Sequence, residues 1–260
     1  MAEYLLKIML QDFNIIVTEE ANWFVGSDYH CFHNKDFIIG PRGHTDVNKY
    51  NEWLIESHNS RVRAQDDFLF LGDFLVGAGQ NAWEKGNEII SRLNGNIFML
   101  FGNHNSFISQ LYRQTLTEFL GMYVRSEDKE YLKSIEIYPL THYHYSGKKI
   151  TFLGKFVEGN IKIEPPDDKS QKQNYRYTAS HYPISSWPEL SRGSISLSGH
   201  EHSNLNDWSP FELHKGKKLD CGVDNAIKYN SSPVFSMEEV IKIMSKKQYL
   251  GVGHHKKEEN

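Results

Sequence analysis

Short apolar runs alternate with stretches of helical periodicity through the first half of the chain. From Asn22 the segment NWFVGS has the length and content of a buried strand, and it delivers SDYHCFH at its end. Thr45 or Asp46 stands at a helix N-cap position, and Val47, Tyr50, Trp53 and Leu54 then share one face, predicting a helix to about Ser60. DFLFLGD predicts a second strand leading to Asp73. Ala82 to Leu93 predicts a second amphipathic helix, stopped near Gly95, and NIFMLF a third strand running into GNHN. A third helix is expected over about Ser106 to Leu120, with Gly121 as its stop.

From Ile135 onward the rhythm shortens. KSIEIYPLTHYHY, KKITFLGKF and NYRYTASHYP are spaced as strands, with Ser146-Gly147 and Gly159-Asn160 as the turns between them, and a last helix is expected near Ser236 to Ser245. Glu164 to Asn174 (EPPDDKSQKQN) reads as a surface loop and the terminal HHKKEEN as a frayed tail. The first half thus places polar residues just after each of three strands, where open α/β sheets bind ligands. An α/β half followed by a β-rich half implies an α/β fold of two sheets packed together with helices outside. A single domain over 1–260 is expected, with 1–21 as an N-terminal extension and 251–260 as a polar tail.

Composition narrows the function. Lys and Arg number 29 against 33 Asp and Glu, a formal charge of -4, so bulk attraction for a polyanion is unsupported and any phosphate affinity must be local. No apolar run approaches the roughly eighteen residues of a membrane span, and Glu3, Asp12, Glu19 and Glu20 interrupt the start where a signal peptide would be basic and then apolar. Cys31 and Cys221 are too few for a disulfide framework. These features favour a cytoplasmic protein without membrane partners. The 13 histidines are the compositional departure that needs an explanation.

Five short motifs gather many of them: Asp28-x-His30, Gly72-Asp73, Gly102-Asn103-His104, His181, and Gly199-His200-Glu201-His202. Each alone is a chance pattern, and together they are not. All offer oxygen or imidazole donors suited to hard and borderline divalent ions, and each follows an apolar run from which side chains of separate strands can converge. In this order the five blocks resemble the calcineurin-like metallophosphoesterase family, from about Asn22 to Ile243. SDYHCFH, Arg42, LGDF, SHYP and LDCGVDN are closer still to a bacterial and phage subgroup whose first motif reads SD-x-HFGH.

The resemblance implies a four-layer α/β/β/α sandwich of two mixed sheets flanked by helices. It implies that Asp28, His30, Asp73 and His202 hold one metal and that Asp73, Asn103, His181 and His200 hold a second, with Asp73 shared. Mn²⁺ is the first expectation for both ions, with Fe, Zn, Ni or Mg²⁺ as alternatives. Two divalent ions carry four positive charges and the two aspartates remove two, leaving a centre that attracts a phosphate ester. Hydrolysis by a metal-bridging hydroxide would follow, with His104 as the acid for the leaving oxygen and His104 and Asn103 beside the substrate. Arg42 and His33 would line the phosphate pocket by the subgroup resemblance, although an arginine before a glycine turn is ordinarily a solvated loop residue. Where the family has a carboxylate after this histidine, the chain has Asn105, which can orient the ring and adds no charge.

The remaining histidines have plainer readings: His142 and His144 as one partly exposed strand face, His254 and His255 as tail. Cys31 reads as a small buried filler. Tyr29, Phe32, Trp83, Tyr182 and Trp187 are candidates to stack a nucleobase, though aromatics beside strand ends are usually core. The expected activity is hydrolysis of a small phosphate ester, a phosphomonoester or phosphodiester and in particular a nucleotide. The first alternative is a nuclease using Lys148, Lys149, Lys155, Lys162, Lys169 and Lys172 as a basic track, and the second is an inactive scaffold, which would be expected to lack ligands.

Overall fold

The computed structural model describes residues 12–123, 136–164, 173–204 and 216–247. Eleven strands form two mixed sheets among these residues. The larger sheet runs in the order β11 (Phe235–Ser236), β2 (Trp23–Gly26), β3 (Asp67–Phe70), β4 (Asn96–Leu100), β6 (Lys149–Gly154), β5 (Leu140–Tyr143). Its four middle strands are parallel and both edges antiparallel. The smaller sheet runs β1 (Ile15–Val17), β7 (Phe156–Ile163), β8 (Gln173–Ser180), β9 (Ile195–Ser198), β10 (Lys217–Asp220).

Alternation along the middle strands builds two cores. Phe24, Phe68, Phe70, Ile97, Met99 and Phe152 face the helices α2 (Val47–Asn59), α3 (Ala82–Arg92) and α4 (Ser106–Tyr123). Trp23, Val25, Leu69, Leu71, Leu100 and Leu153 point the other way, onto Ile161, Tyr177, Ala179, Leu197 and Leu219 of the smaller sheet. Continuous apolar runs in the sequence are therefore strands buried on both faces. The C-terminal helices α5 (Val223–Asn230) and α6 (Met237–Ser245) close the sandwich at one edge, α6 packing on β10, β11 and β2. Two mixed sheets flanked by helices are thus the observed architecture.

Local signals explain most boundaries. Asp46 caps α2 by accepting from the backbone N–H of Asn48 and Lys49, both at 2.9 Å. Ser236 and Glu239 form a reciprocal capping box at the start of α6. Three expectations are corrected. Gly121 does not stop α4, which continues to Tyr123, since a glycine inside a helix costs only about 1 kcal/mol. Gly159-Asn160 is not a turn but the middle of β7. The β1 chain crosses so close that a Cβ at Gly159 would overlap the Phe13 carbonyl, and Phe13 N–H donates to Glu158 O at 2.9 Å. Ile15–Val17, inside the segment read as an extension, is the edge strand β1 paired with β7. Of the polar stretch from Glu164, Gln173 and Asn174 begin β8, and 165–172 lies outside the described residues, as do 133–135, the terminal tail, His254 and His255.

Candidate metal centre

The five motifs sit at the C-terminal ends of β2, β3, β4, β8 and β9, so the two sheets deliver them to one end of the sandwich. The backbone leaves each strand in an unusual way. Asp28, His30, Asp73, His200 and His202 all have left-handed φ, between 47° and 74°, a conformation that non-glycine residues rarely take. Strain of this kind, about 1–3 kcal/mol per residue, concentrates at functional sites. The loops are pinned to one another by Asp28 N–H to Gly72 O at 3.0 Å, His200 N–H to Asp28 Oδ2 at 2.9 Å and His104 N–H to Asp73 Oδ1 at 2.7 Å. Gly199 is required by this crowding, since a Cβ there would overlap Ser27 Oγ and Asp28 Oδ2.

All seven expected ligands are brought together. Asp28, His30, Asp73 and His181 are buried and form a floor, while Asn103 is exposed and His200 and His202 half-buried at the rim. His30 Nε2 lies 3.6 Å from Asp28 Oδ1 and 3.8 Å from Asp73 Oδ2, and His202 Nε2 lies 4.0 Å from Asp28 Oδ1. On the other side His181 Nε2 is 3.5 Å from Asp73 Oδ2 and 2.8 Å from Asn103 Oδ1, which in turn is 3.0 Å from His200 Nδ1. Asp73 Oδ2 therefore stands between the two halves. Donor atoms of Asp28, His30 and His202, and of Asp28, Asp73 and His181, fall within 4.8 Å of one another, the spread that one ion can span.

The donor set fits cations on two counts. Asp28 Oδ1 and both ring nitrogens of His30 are buried without a hydrogen-bond partner, an arrangement that costs free energy unless something binds there. His181 also gives its Nδ1 proton to Leu71 O at 3.0 Å, so a neutral ring turns a lone pair at Nε2 toward Asn103 Oδ1. Acceptor then faces acceptor until a proton or a metal ion lies between them.

The electrostatics agree. Burial works to raise the Asp73 pKa, but the contact with His181 and the neighbouring imidazoles outweigh it and hold the carboxyl at about 2. Asp28 is likewise held below its ordinary range, its burial overcome by His30, His181 and His202. His181 moves upward because the two aspartates outweigh its burial. Cations are favoured here.

Residues around the ligands divide into rim and support. His104 is exposed, with its ring centroid 5.6 Å from that of His30, and the half-buried His33 ring lies 5.5 Å from His30 and 6.5 Å from His104. Arg42 requires correction as a phosphate contact. Its side chain is fully buried, with Nε and Nη2 donating to Asp224 at 3.0 and 2.7 Å and Nη1 to Tyr50 Oη and Tyr29 O at 2.5 and 3.3 Å. The remaining Nη2 hydrogen faces His202 Nδ1 at 3.4 Å, so the guanidinium is engaged on every side by the protein. Asn105 is corrected as well. Its side chain brackets Gly102, accepting from the backbone N–H at 2.9 Å and donating to the carbonyl, and makes no bond to the His104 ring.

The sequence reading passed over Asp220 and Asp224. Asp224 accepts from His202 Nδ1 at 2.8 Å, and Asp220 accepts from Ser203 and Gly222 N–H at 2.7 and 2.8 Å. Burial lifts Asp220 to about 6. The signal was present in LDCGVDN, since KKLDCG is one more strand end of the same kind.

Of the aromatics considered for stacking, Tyr29 and Trp187 are buried and Phe32 and Trp83 pack against the core. Tyr182, half-exposed, lies 4.5 Å from the His200 ring. Phe37 is 72% exposed and its ring lies 5.8 Å from that of His33. Of the lysines of the expected basic track, three are placed away from the site. Lys148 precedes β6 and Lys149 begins it, at the end of the larger sheet away from the site, and Lys162 pairs with Asn174 at the distant start of β8. Lys155 follows β6 at the near end, and Lys169 and Lys172 lie outside the described residues. His142 bonds Thr115, and His144 bonds Asn87 and Ser146, so both are satisfied structural histidines.

No family model matches the sequence. Over 120 residues, 46% of the chain, it is 27% identical to an uncharacterized protein of Methanocaldococcus jannaschii, of which the match covers 67%. A protein of unknown function from Aquifex aeolicus overlays 86% of the chain and 99% of its own length with a TM-score of 0.45 and 16% identity.

Proposed function

We propose that this protein is a calcineurin-like metallophosphoesterase, a metal-dependent hydrolase that cleaves a small phosphate ester at a centre holding two divalent ions. The observation that carries the reading is the convergence of Asp28, His30, Asp73, Asn103, His181, His200 and His202 at one strand-end cluster, with Asp28 and His30 presenting buried unpartnered atoms. Asp28, His30, Asp73 and His202 would hold one ion and Asp73, Asn103, His181 and His200 the other. Bound there, the ions supply Lewis-acid stabilisation of phosphoryl oxygens and a water acidic enough to act as nucleophile near neutral pH. Mn²⁺ suits this mixed oxygen and imidazole set, as do Fe, Zn, Ni and Mg²⁺ to different degrees.

The chain's own groups have separable tasks. The two aspartates bring fixed negative charge to a floor closed to solvent, and Leu71 O and Asp224 turn the His181 and His202 rings so that each Nε2 faces inward. Asn103 and His200 leave the outer side open to an ester. His104, anchored by its backbone to Asp73, carries its exposed ring at the mouth, where it can pass a proton to the leaving oxygen.

A small ester is preferred over nucleic acid because the net charge of -4 gives no bulk attraction for a polyanion. Phe37 beside His33 and Tyr182 beside His200 favour an ester with an aromatic portion, a nucleotide among them. Among the described residues no helix is long and apolar enough to cross a membrane. The buried free thiols of Cys31 and Cys221 suit a reducing cytoplasm.

The test is a panel of phosphomonoesters and phosphodiesters with metal-stripped protein and Mn²⁺, Mg²⁺, Zn²⁺ or Ni²⁺ restored in turn. Hydrolysis that needs the metal and is faster on small esters than on DNA or RNA is expected. Faster, salt-sensitive cleavage of polymer would favour a nuclease, and inactivity with every metal would sink the assignment.

A further inference from the structure

Building on the two-metal reading, we propose that Asp224, braced by Arg42, is a positioning residue that sets the affinity of the centre for the ion held through His202. Three segments distant in the chain meet here: Arg42 after the short helix α1 (Asp36–Ile39), His202 after β9, and Asp224 in the first turn of α5. His202 needs such a partner. Its side chain is 28% exposed, its own φ is 48° and that of Ser203 is 72°, and its neighbour on the inner side is the His30 ring, stacked at 5.0 Å.

His202 Nδ1–H donates to Asp224 Oδ2 at 2.8 Å, which leaves the Nε2 lone pair facing Asp28. A carboxylate behind a ligating imidazole fixes its tautomer and orientation and makes it more basic toward a metal. Asp224 is itself held on both oxygens by one guanidinium, Nε to Oδ1 at 3.0 Å and Nη2 to Oδ2 at 2.7 Å. That guanidinium is fixed in turn by Tyr50 Oη and by the carbonyl of Tyr29, the residue between Asp28 and His30. The brace thus joins the His202 loop to the Asp28-x-His30 loop, so both sides of one ion's ligand set are placed by the same buried fork. In the other half the group behind the ligand is neutral, the Leu71 carbonyl on His181. Loss of Asp224 should therefore fall on one ion and not on both.

The experiment is calorimetric Mn²⁺ titration of the metal-stripped full chain for wild type, Asp224→Asn, His202→Ala and the double variant, with thermal unfolding of each in metal-free buffer. Asp224→Asn should weaken one of the two ions by about 10–100-fold and leave the other within about twofold. In the His202→Ala background the same change should have no further effect on that ion, because Asp224 acts through His202. Wild-type affinities for both ions in Asp224→Asn, or an equal loss with and without His202, would overturn the proposal even if the metal-free protein were destabilised. Removing Asp224 leaves a buried arginine unpaired, so Arg42→Lys is the second variant. It keeps the charge but cannot grip both carboxylate oxygens, and it should weaken the same ion to a smaller degree. Unchanged affinities there would overturn the proposal if Asp224→Asn does not fold. A wild-type chain that takes up no metal would overturn the two-metal reading itself.

Discussion

At the level of single residues, the sequence marked which side chains would gather and not which would brace them. Asp28, His30, Asp73, Asn103, His181, His200 and His202 were expected as ligands from five strand-end motifs and the family they resemble, and the structure brings the seven together. Whether a residue faces the opening or braces another side chain depends on packing among distant segments. Arg42 is the instructive case, since a guanidinium beside a phosphate site and one behind it look alike in sequence, and only its contacts on Asp224, Tyr29, Tyr50 and His202 separate them. Asn105 likewise turned toward Gly102 instead of the neighbouring ring. His104 therefore acts, on this account, without a side-chain partner from Asn105, and its proton is needed in proportion to the basicity of the leaving oxygen. His104→Ala is expected to lower turnover of an alkyl phosphate by about 10²–10⁴-fold while costing a nitrophenyl ester far less. Equal losses on the two esters would assign proton transfer to another group, with His33 the nearest imidazole.

Among the elements, periodicity located the buried strands β2, β3 and β4 and helices α2, α3 and α6 because each carries a strong face and a cap or a turn. It failed where a neighbour decided the outcome. Strand β7 runs through Gly159-Asn160 because β1 lies against it, and no local signal announces an approach made by residues 140 or so positions away. Helix α2 shows how an element supports the site from behind. His58 on its inner face is fully buried, its Nε2–H donating to Asn94 O at 3.0 Å and its Nδ1 accepting from Tyr29 Oη at 2.7 Å. Burial outweighs the bond to Asn94 and lowers its pKa from 6.5 to about 4. The unfolded chain then binds the proton more readily, so stability is lost as pH falls from about 6.5 toward 4, with a slope of about 1.4 kcal/mol per pH unit. His58→Gln in metal-free protein should be less stable than wild type at pH 7, and the gap should narrow by about 2 kcal/mol at pH 5. Urea midpoints at the two pH values measure this, and a gap independent of pH would refute the buried neutral imidazole.

For the whole molecule, two sheets with separate cores meet so that strand ends from both halves of the chain face one another, and the candidate ligands come from β2, β3 and β4 on one side and β8 and β9 on the other. The pairing of an α/β half with a β-rich half was readable from the change of rhythm near Ile135. The exchange of strands between halves was not, since β11 returns from the C-terminus to pair with β2, and β1 joins the smaller sheet. The architecture makes the centre a joint property of both sheets, with Asp73 Oδ2 between a half built on Asp28, His30 and His202 and a half built on Asn103, His181 and His200. The central claim is that two ions act together there. It is tested most directly by adding Mn²⁺ in steps to metal-stripped protein while bound metal and phosphate release are followed together, for wild type and Asp73→Asn. The account expects wild type to take up two ions per chain and to turn over only as the second is bound. Asp73→Asn should hold fewer ions and be slower by at least about a hundredfold. Saturation at one ion per chain with full turnover, and an Asp73→Asn variant as active as wild type, would contradict it.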